Sequence, residues 1–348
     1  MNSRIQSFIE AAGWPRIIIG LFLVSLFVAA PFVGVRIDTS LSDTLVRVGM
    51  NGVMVLALVP MVQSGCGLNF GLPLGIIAGL VGAVTSIEMN VLGMMGFFVA
   101  LLISVPLAVL LGYGYGLLLN RVKGDEMMIA TYVGFSSVAV MCMAWLLLPY
   151  KSPTMIWGYG GSGLRTTISV EGFWLHILSD FLHVQIGKFF YFPTGMFLFF
   201  ALMCFLMWGF LHTKTGTAMT AVGSNPEFAR ASGINVDRMR IVSVVLSTVL
   251  GAVGILVYQQ SFGFIQLYMG PFYMAFPAVA AILLGGASVN KASMLNVIVG
   301  TFLFQGILTM TPSVINSLIQ TDMSEVIRII VSNGMILYAL TRKVQVKR

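Results

Sequence analysis

Four side-chain amides, those of Gln63, Asn69, Gln259 and Gln305, stand in or beside stretches that are otherwise almost wholly apolar. A polar group in such a place must find water, a ligand or a neighbouring helix. With Tyr258 and Phe262, which could stack on a flat or sugar-like ligand, they make a candidate translocation pathway for a polar solute. Two structural alternatives stand beside that reading: interhelical hydrogen bonds for the amides, and an interfacial aromatic belt for the rings. Bond-breaking chemistry finds less support. The GKFF at Gly187 lacks the upstream glycine and the following Ser or Thr of a phosphate-binding loop, and neither HExxH nor a nucleophile elbow occurs. Cys66, Cys142 and Cys204 lie far apart in apolar surroundings, without metal-ligand spacing. No catalytic residue, metal ligand or bound cofactor is expected in this chain.

The elements that position these residues follow from composition. Of 348 residues, 58% are hydrophobic and 9% charged, against roughly a quarter charged in a soluble domain. Crossing a hydrocarbon core of about 30 Å takes about 20 apolar residues. Spans are expected near Ile17–Val35, Thr44–Met61, Phe70–Ser86, Gly93–Leu119, Met127–Leu148, Pro193–Leu211, Met239–Tyr258, Phe272–Leu284, Met294–Met310 and Met323–Leu340. The fold class expected is all-α, a polytopic integral membrane helix bundle of about ten transmembrane helices forming one domain over 1–348. Short alternating runs of the β-barrel kind do not occur. Between Gln63 and Gly71 the chain is rich in Gly and polar groups, so Val53–Ser86 also fits a helix that breaks and re-enters.

Charge sets the orientation. With ten spans and a cytosolic N-terminus, the cytosolic side holds Arg4, Arg16, Arg121, Lys123, Lys214, Arg230, Arg238, Arg240, Lys291, Arg342, Lys343, Lys347 and Arg348, thirteen of nineteen basic residues. Both termini are then cytosolic. The net charge of +7 is topological, and membrane lipid rather than nucleic acid is the expected partner.

Two polar excursions stand out. Residues 211–241 form a cytosolic elbow in which Asn225 can cap a short helix, Pro226 suits its first turn, and Glu227 meets the positive helix end. Gly233 is a stop, and Asn235 or Asp237 can cap the next helix. Such an elbow is either a docking element for a cytosolic partner or an ordinary connection. Residues 149–192 form the longest outer excursion. Within it Phe173, Trp174, Ile177, Leu178, Phe181 and Leu182 recur at helical spacing opposite His176, Ser179, Asp180 and His183. This predicts an amphipathic helix that rests on lipid or shapes a docking surface for an external protein.

The elbow sequence AVGSNPEFARASGINVDRMRI, Ala221–Ile241, resembles the cytosolic loop of permease subunits of ribose, galactose and autoinducer-2 type ABC importers, within the branched-chain amino acid permease superfamily. PAVAAILLGGASVNKASMLNVIVGTFLFQGIL, Pro277–Leu308, is similar to that family's second glycine-rich signature. The resemblance covers roughly Thr44–Leu340. Two departures stand against it. SGCGLNFGLPLG, Ser64–Gly75, carries Gly67 where an acidic residue is usual, and Asn290–Ser293 replaces further glycines after Gly285 and Gly286.

The resemblance implies an importer in a bacterial inner membrane. It would hold two permease subunits, identical or homologous, two ABC ATPase subunits that bind ATP and Mg, and an external solute-binding protein. Asn225, Pro226, Glu227, Phe228, Arg230 and Gly233 would form the ATPase-coupling helix, with Phe228 the apolar contact and Arg230 at its rim. Glu88, Trp174 and Asp180 are candidates for docking the binding protein. A sugar or nucleoside is the kind of solute implied. Competing accounts are an ion- or proton-coupled secondary transporter, which would normally use an intramembrane carboxylate, and a non-transporting membrane partner protein.

Overall fold

Long apolar runs leave the backbone no hydrogen-bond partner but itself, so they fold as helices. The computed structural model describes residues 14–157 and 163–319, with positions 323, 326, 329–334 and 337 beyond them. The span expected at Met323–Leu340, including Arg328 and Glu325, lies largely outside the described residues, as do residues 1–13 and the basic cluster from Arg342 onward.

In chain order the elements are α1 (Trp14–Ala29), a 3-10 turn (Ala30–Val33), α2 (Ile37–Leu56), α3 (Val59–Gln63), α4 (Leu72–Glu88), α5 (Gly93–Arg121) and α6 (Glu126–Leu147). The excursion contributes β1 (Thr167–Ser169), α7 (Ile177–Asp180), β2 (Val184–Ile186) and β3 (Phe190–Phe192). There follow α8 (Thr194–Leu211), α9 (Lys214–Ser224), α10 (Pro226–Ala231), α11 (Val236–Phe262), β4 (Phe264–Gln266), α12 (Gly270–Leu284) and α13 (Met294–Ile319). Seven helical stretches among the described residues are long and apolar enough to cross a membrane, and α4 and α12 are shorter apolar helices.

Burial separates core from periphery. The most apolar windows of the α2–α3 stretch and of α11 are 78% and 67% buried, whereas those of α1 and α6 are 17% buried. The outer helices therefore turn apolar side chains such as Leu102, Leu110 and Phe205 outward, as lipid-facing surfaces do. At the centre α4 and α11 run side by side in the same direction. A Cβ on Gly79 of α4 would lie 2.1 Å from Ile255 Cγ2, so only glycine permits this approach.

The second span is interrupted, a possibility that Val53–Ser86 left open beside two plain spans. Pro60 has no N–H to give the Leu56 carbonyl, and its ring excludes that carbonyl, which accounts for the interruption at Ala57–Leu58. After Gln63 the chain leaves helical geometry until Leu72.

The excursion differs from expectation. The helix predicted over 173–183 is a single turn, α7, because His176 and Leu182 adopt positive φ of 55° and 52°. Trp174 and Leu178 are buried while Phe181 and Leu182 are exposed, so the apolar set does not form one face. Two small antiparallel sheets complete the region. β1 pairs with β4, and β2 with β3.

Candidate functional site

The elbow is built by local capping. Asn225 Oδ1 accepts the Phe228 N–H at 2.9 Å and opens α10, with Pro226 at its first position. Gly233 ends it at φ 81°, a conformation that costs a side-chain-bearing residue energy. Of the two candidate caps for the next helix, Asn235 takes the role, its Oδ1 accepting the Arg238 N–H at 2.9 Å. Ala229 is buried with Val222 and Val236, which fixes α10 against the ends of α9 and α11. Glu227 and Arg230 are exposed, and Phe228 is 67% exposed. The helix thus holds one bulky aromatic and one guanidinium outward on a braced stub.

Basic groups gather at the same end. Lys123 pairs with Asp237 at 2.7 Å, and Asn120 Nδ2 donates to the Asp237 carbonyl at 2.8 Å, tying the α5–α6 loop to the elbow.

The elbow also touches the interrupted second span. Gly223, near the end of α9, lies against Gln63 and Gly65, where a Cβ on 223 would meet the Gln63 carbonyl oxygen at 2.1 Å. On its other side the segment is held by α11, through residues that the sequence motifs do not single out. Arg240, Ser243 and Ser247 share one face of α11. Arg240 Nε donates to Cys66 Sγ at 3.3 Å, and its Nη2 pairs with Glu126. Ser243 Oγ donates to Ser64 Oγ at 2.6 Å, and Ser247 Oγ to the Ala57 carbonyl at 2.5 Å. The i, i+3, i+7 spacing of these three was a readable signal.

Each pathway candidate has a definite place. Asn69 is fully buried, giving Nδ2 to Ser247 Oγ at 2.7 Å and accepting Tyr115 OH at 3.2 Å. Gln63 is half-buried and donates to the Ala292 carbonyl. Both amides are engaged by the chain itself. Gln259 is fully buried with neither amide atom hydrogen-bonded. Gln305 is buried on α13, apart in sequence and element from the others. The rings of Tyr258 and Phe262 lie 5.2 Å apart, with Phe262 partly exposed. Asn69 and Gln63 therefore both belong to the interrupted segment, whereas Tyr258, Gln259 and Phe262 occupy the last turn of α11.

At the excursion end, Glu88 accepts the backbone N–H groups of Lys151 at 3.1 Å and Ser152 at 3.0 Å, holding the excursion's first residues. Trp174 has no exposed area and packs edge-on to Phe97, so it supports the excursion from beneath instead of lying on its surface. Asp180 is exposed and accepts Tyr191 OH at 3.0 Å. Burial, with the Asp180 carboxylate added, holds the Tyr191 phenol above its ordinary range, so it stays a donor. Gln260, not singled out from sequence, accepts the Leu178 N–H at 3.1 Å through Oε1, and its carbonyl accepts His176 N at 2.7 Å. It fastens the excursion to α11. Among the described residues no group of three or more His, Cys, Asp or Glu is placed to hold a metal ion.

Seven long apolar helices and outward-turned apolar side chains define an all-α, polytopic membrane helix bundle. Residues 40–339 match the family described as branched-chain amino acid transport system, permease component, and the chain belongs to that family. It is thus a transport permease and not an enzyme. It is also similar to the nucleoside ABC transporter permease protein NupB of Lactococcus lactis subsp. cremoris (strain MG1363), 25% identical over 243 residues, 65% of this chain and 61% of that relative. The matched stretch thus spans less than two thirds of the relative's length. No solved structure matches the chain.

Proposed function

We propose that this chain is the membrane subunit of an ATP-driven importer for a small polar solute such as a sugar or nucleoside. The observation that carries the reading is α10, a capped, braced helix that presents Phe228 to solvent at the basic end of the bundle. Exposed aromatics and arginines on rigid supports are the residue types that anchor protein interfaces. α10 is the contact for an ABC ATPase that binds ATP and Mg. The elbow end faces the cytosol of a bacterial inner membrane, because Arg121, Lys123, Lys214, Arg230, Arg238 and Arg240 gather there. ATP binding shifts the permease between inward- and outward-open packings by favouring one of them. A second permease, identical or homologous, completes the pathway, and a solute-binding protein delivers cargo to the excursion end around Glu88 and Asp180. Support for a nucleoside comes from the name of the relative in Lactococcus lactis.

The test is Phe228→Ala with Arg230→Ala in the reconstituted importer. Stimulation of ATPase activity by the binding protein, purified with the ligand it retains, should fall at least tenfold while the chain still inserts. Stimulation equal to the parent's removes the elbow from the coupling path.

A further inference from the structure

We propose that residues 63–69 are the moving part through which the elbow reaches the bundle interior, with Gly223, Arg240 and Ser243 as the positioning residues that make them follow. The inference rests on the elbow being the ATPase contact, and it identifies what that contact displaces. α10 is continuous at one end with α9 and at the other with α11, and both helices hold the same short stretch. From α9, Gly223 presses on the backbone of Gln63 and Gly65 with no space for a Cβ. From α11, Arg240 holds Cys66 at 3.3 Å, Ser243 holds Ser64 at 2.6 Å, and Ser247 accepts Asn69 at 2.7 Å. Displacement of α10 therefore arrives at 63–69 from two sides.

The stretch is built to yield. Its first residues close α3, with the Ser64 N–H on the Pro60 carbonyl and the Cys66 N–H on the Met61 carbonyl, both at 3.1 Å. Beyond Cys66 no residue is helical until Leu72, and Gly65 and Gly67 take φ of 75° and 80°. An open pocket of about 370 Å³ lined by Gly65, Cys66, Gly67, Glu126, Met127 and Val289 adjoins it. Its far end carries Asn69, whose amide is bonded to α11 through Ser247 and to α5 through Tyr115. Three side-chain bonds run to α11, against one to α5 and one from Gln63 to the Ala292 carbonyl, so the stretch travels with α11 and changes its relation to α5. Movement of the elbow thereby loosens or tightens the Tyr115–Asn69 contact within the bundle.

Cys66 reports on this directly, because its thiol is buried within the stretch. The experiment uses the full importer with its binding protein, with Cys142→Ser and Cys204→Ser in this chain. The rate of Cys66 labelling by N-ethylmaleimide is compared in the nucleotide-free and the ATP-vanadate-trapped states. The expected result is at least a tenfold difference between states, reduced to less than twofold in Gly223→Ala and in Ser243→Ala. A purely structural role for these residues would change labelling equally in both states and leave the difference intact. Equal rates in the two states of the parent importer overturn the proposal, as does a full difference retained in both variants. A parent that still cross-links to its ATPase from position 228 but shows no change at Cys66 refutes this inference alone. Absence of the cross-link refutes the elbow reading instead.

Discussion

Arg240 on α11 and Glu126 in the first turn of α6 form an ion pair whose side chains are 10% and 16% exposed. Such a pair is held from both directions. Each charge would be costly to strand without the other, because removing one partner leaves an uncompensated charge in a low-dielectric site. The pair also locates Arg240 against Cys66, so it links the start of α6, the start of α11 and the interrupted span.

The pair should show strong coupling in a double-mutant cycle. Arg240→Met or Glu126→Leu alone should each cost about 3 kcal/mol of unfolding stability in detergent, while the double substitution should cost well under their sum. Additive costs would mean that the two side chains do not depend on each other.

The elbow's local chemistry makes a second expectation. Asn225→Ala should destabilise α10 by about 1 kcal/mol through loss of its cap, and Gly233→Ala by a similar amount through its positive φ. Hydrogen exchange at the Phe228 amide should rise severalfold in Asn225→Ala. Unchanged protection would show that the cap bond contributes nothing to the helix.

Gln259 separates stability from transport. A buried amide with no partner is destabilising, so Gln259→Leu should hold or raise the thermal midpoint of the assembled complex. If the amide meets solute in another state of the cycle, uptake of tritiated uridine or ribose, whichever the parent carries, should fall at least tenfold. Parent-level uptake would take Gln259 off the pathway.

Glu88 accepts three close contacts from two backbone amides. Bonds to an ionised acceptor contribute roughly 1.5–3 kcal/mol each, so Glu88→Gln should speed exchange at Lys151 and Ser152 by about tenfold or more. Equal exchange would show that the excursion's entry is held elsewhere.

How much of this was legible follows from range of interaction. The spans could be read because bilayer thickness imposes a length on every apolar run, and α5, α6, α8 and α11 lie where the hydropathy put them, while α2 begins seven residues before the expected Thr44. The elbow could be read because Asn225, Pro226 and Gly233 act on backbone within four residues of themselves. The pairing of Thr167 with Gln266 could not, since three-residue strands so far apart in sequence carry no local signature. Trp174 misled for a related reason. Its spacing fitted a surface helix, but Gly96 and Phe97 on α5 make a place for it indoors. By charge alone Arg240 reads as a topological residue, whereas Ser243 and Ser247 on the same face make it part of an inward-facing set.

The central claim is that α10 is gripped by a nucleotide-hydrolysing subunit. A photoreactive side chain at position 228 in the purified, assembled importer tests it directly. The account expects a cross-linked adduct between this chain and an ABC ATPase subunit. An intact assembly in which position 228 labels only with solvent-borne reagent, and never with the ATPase, would contradict it.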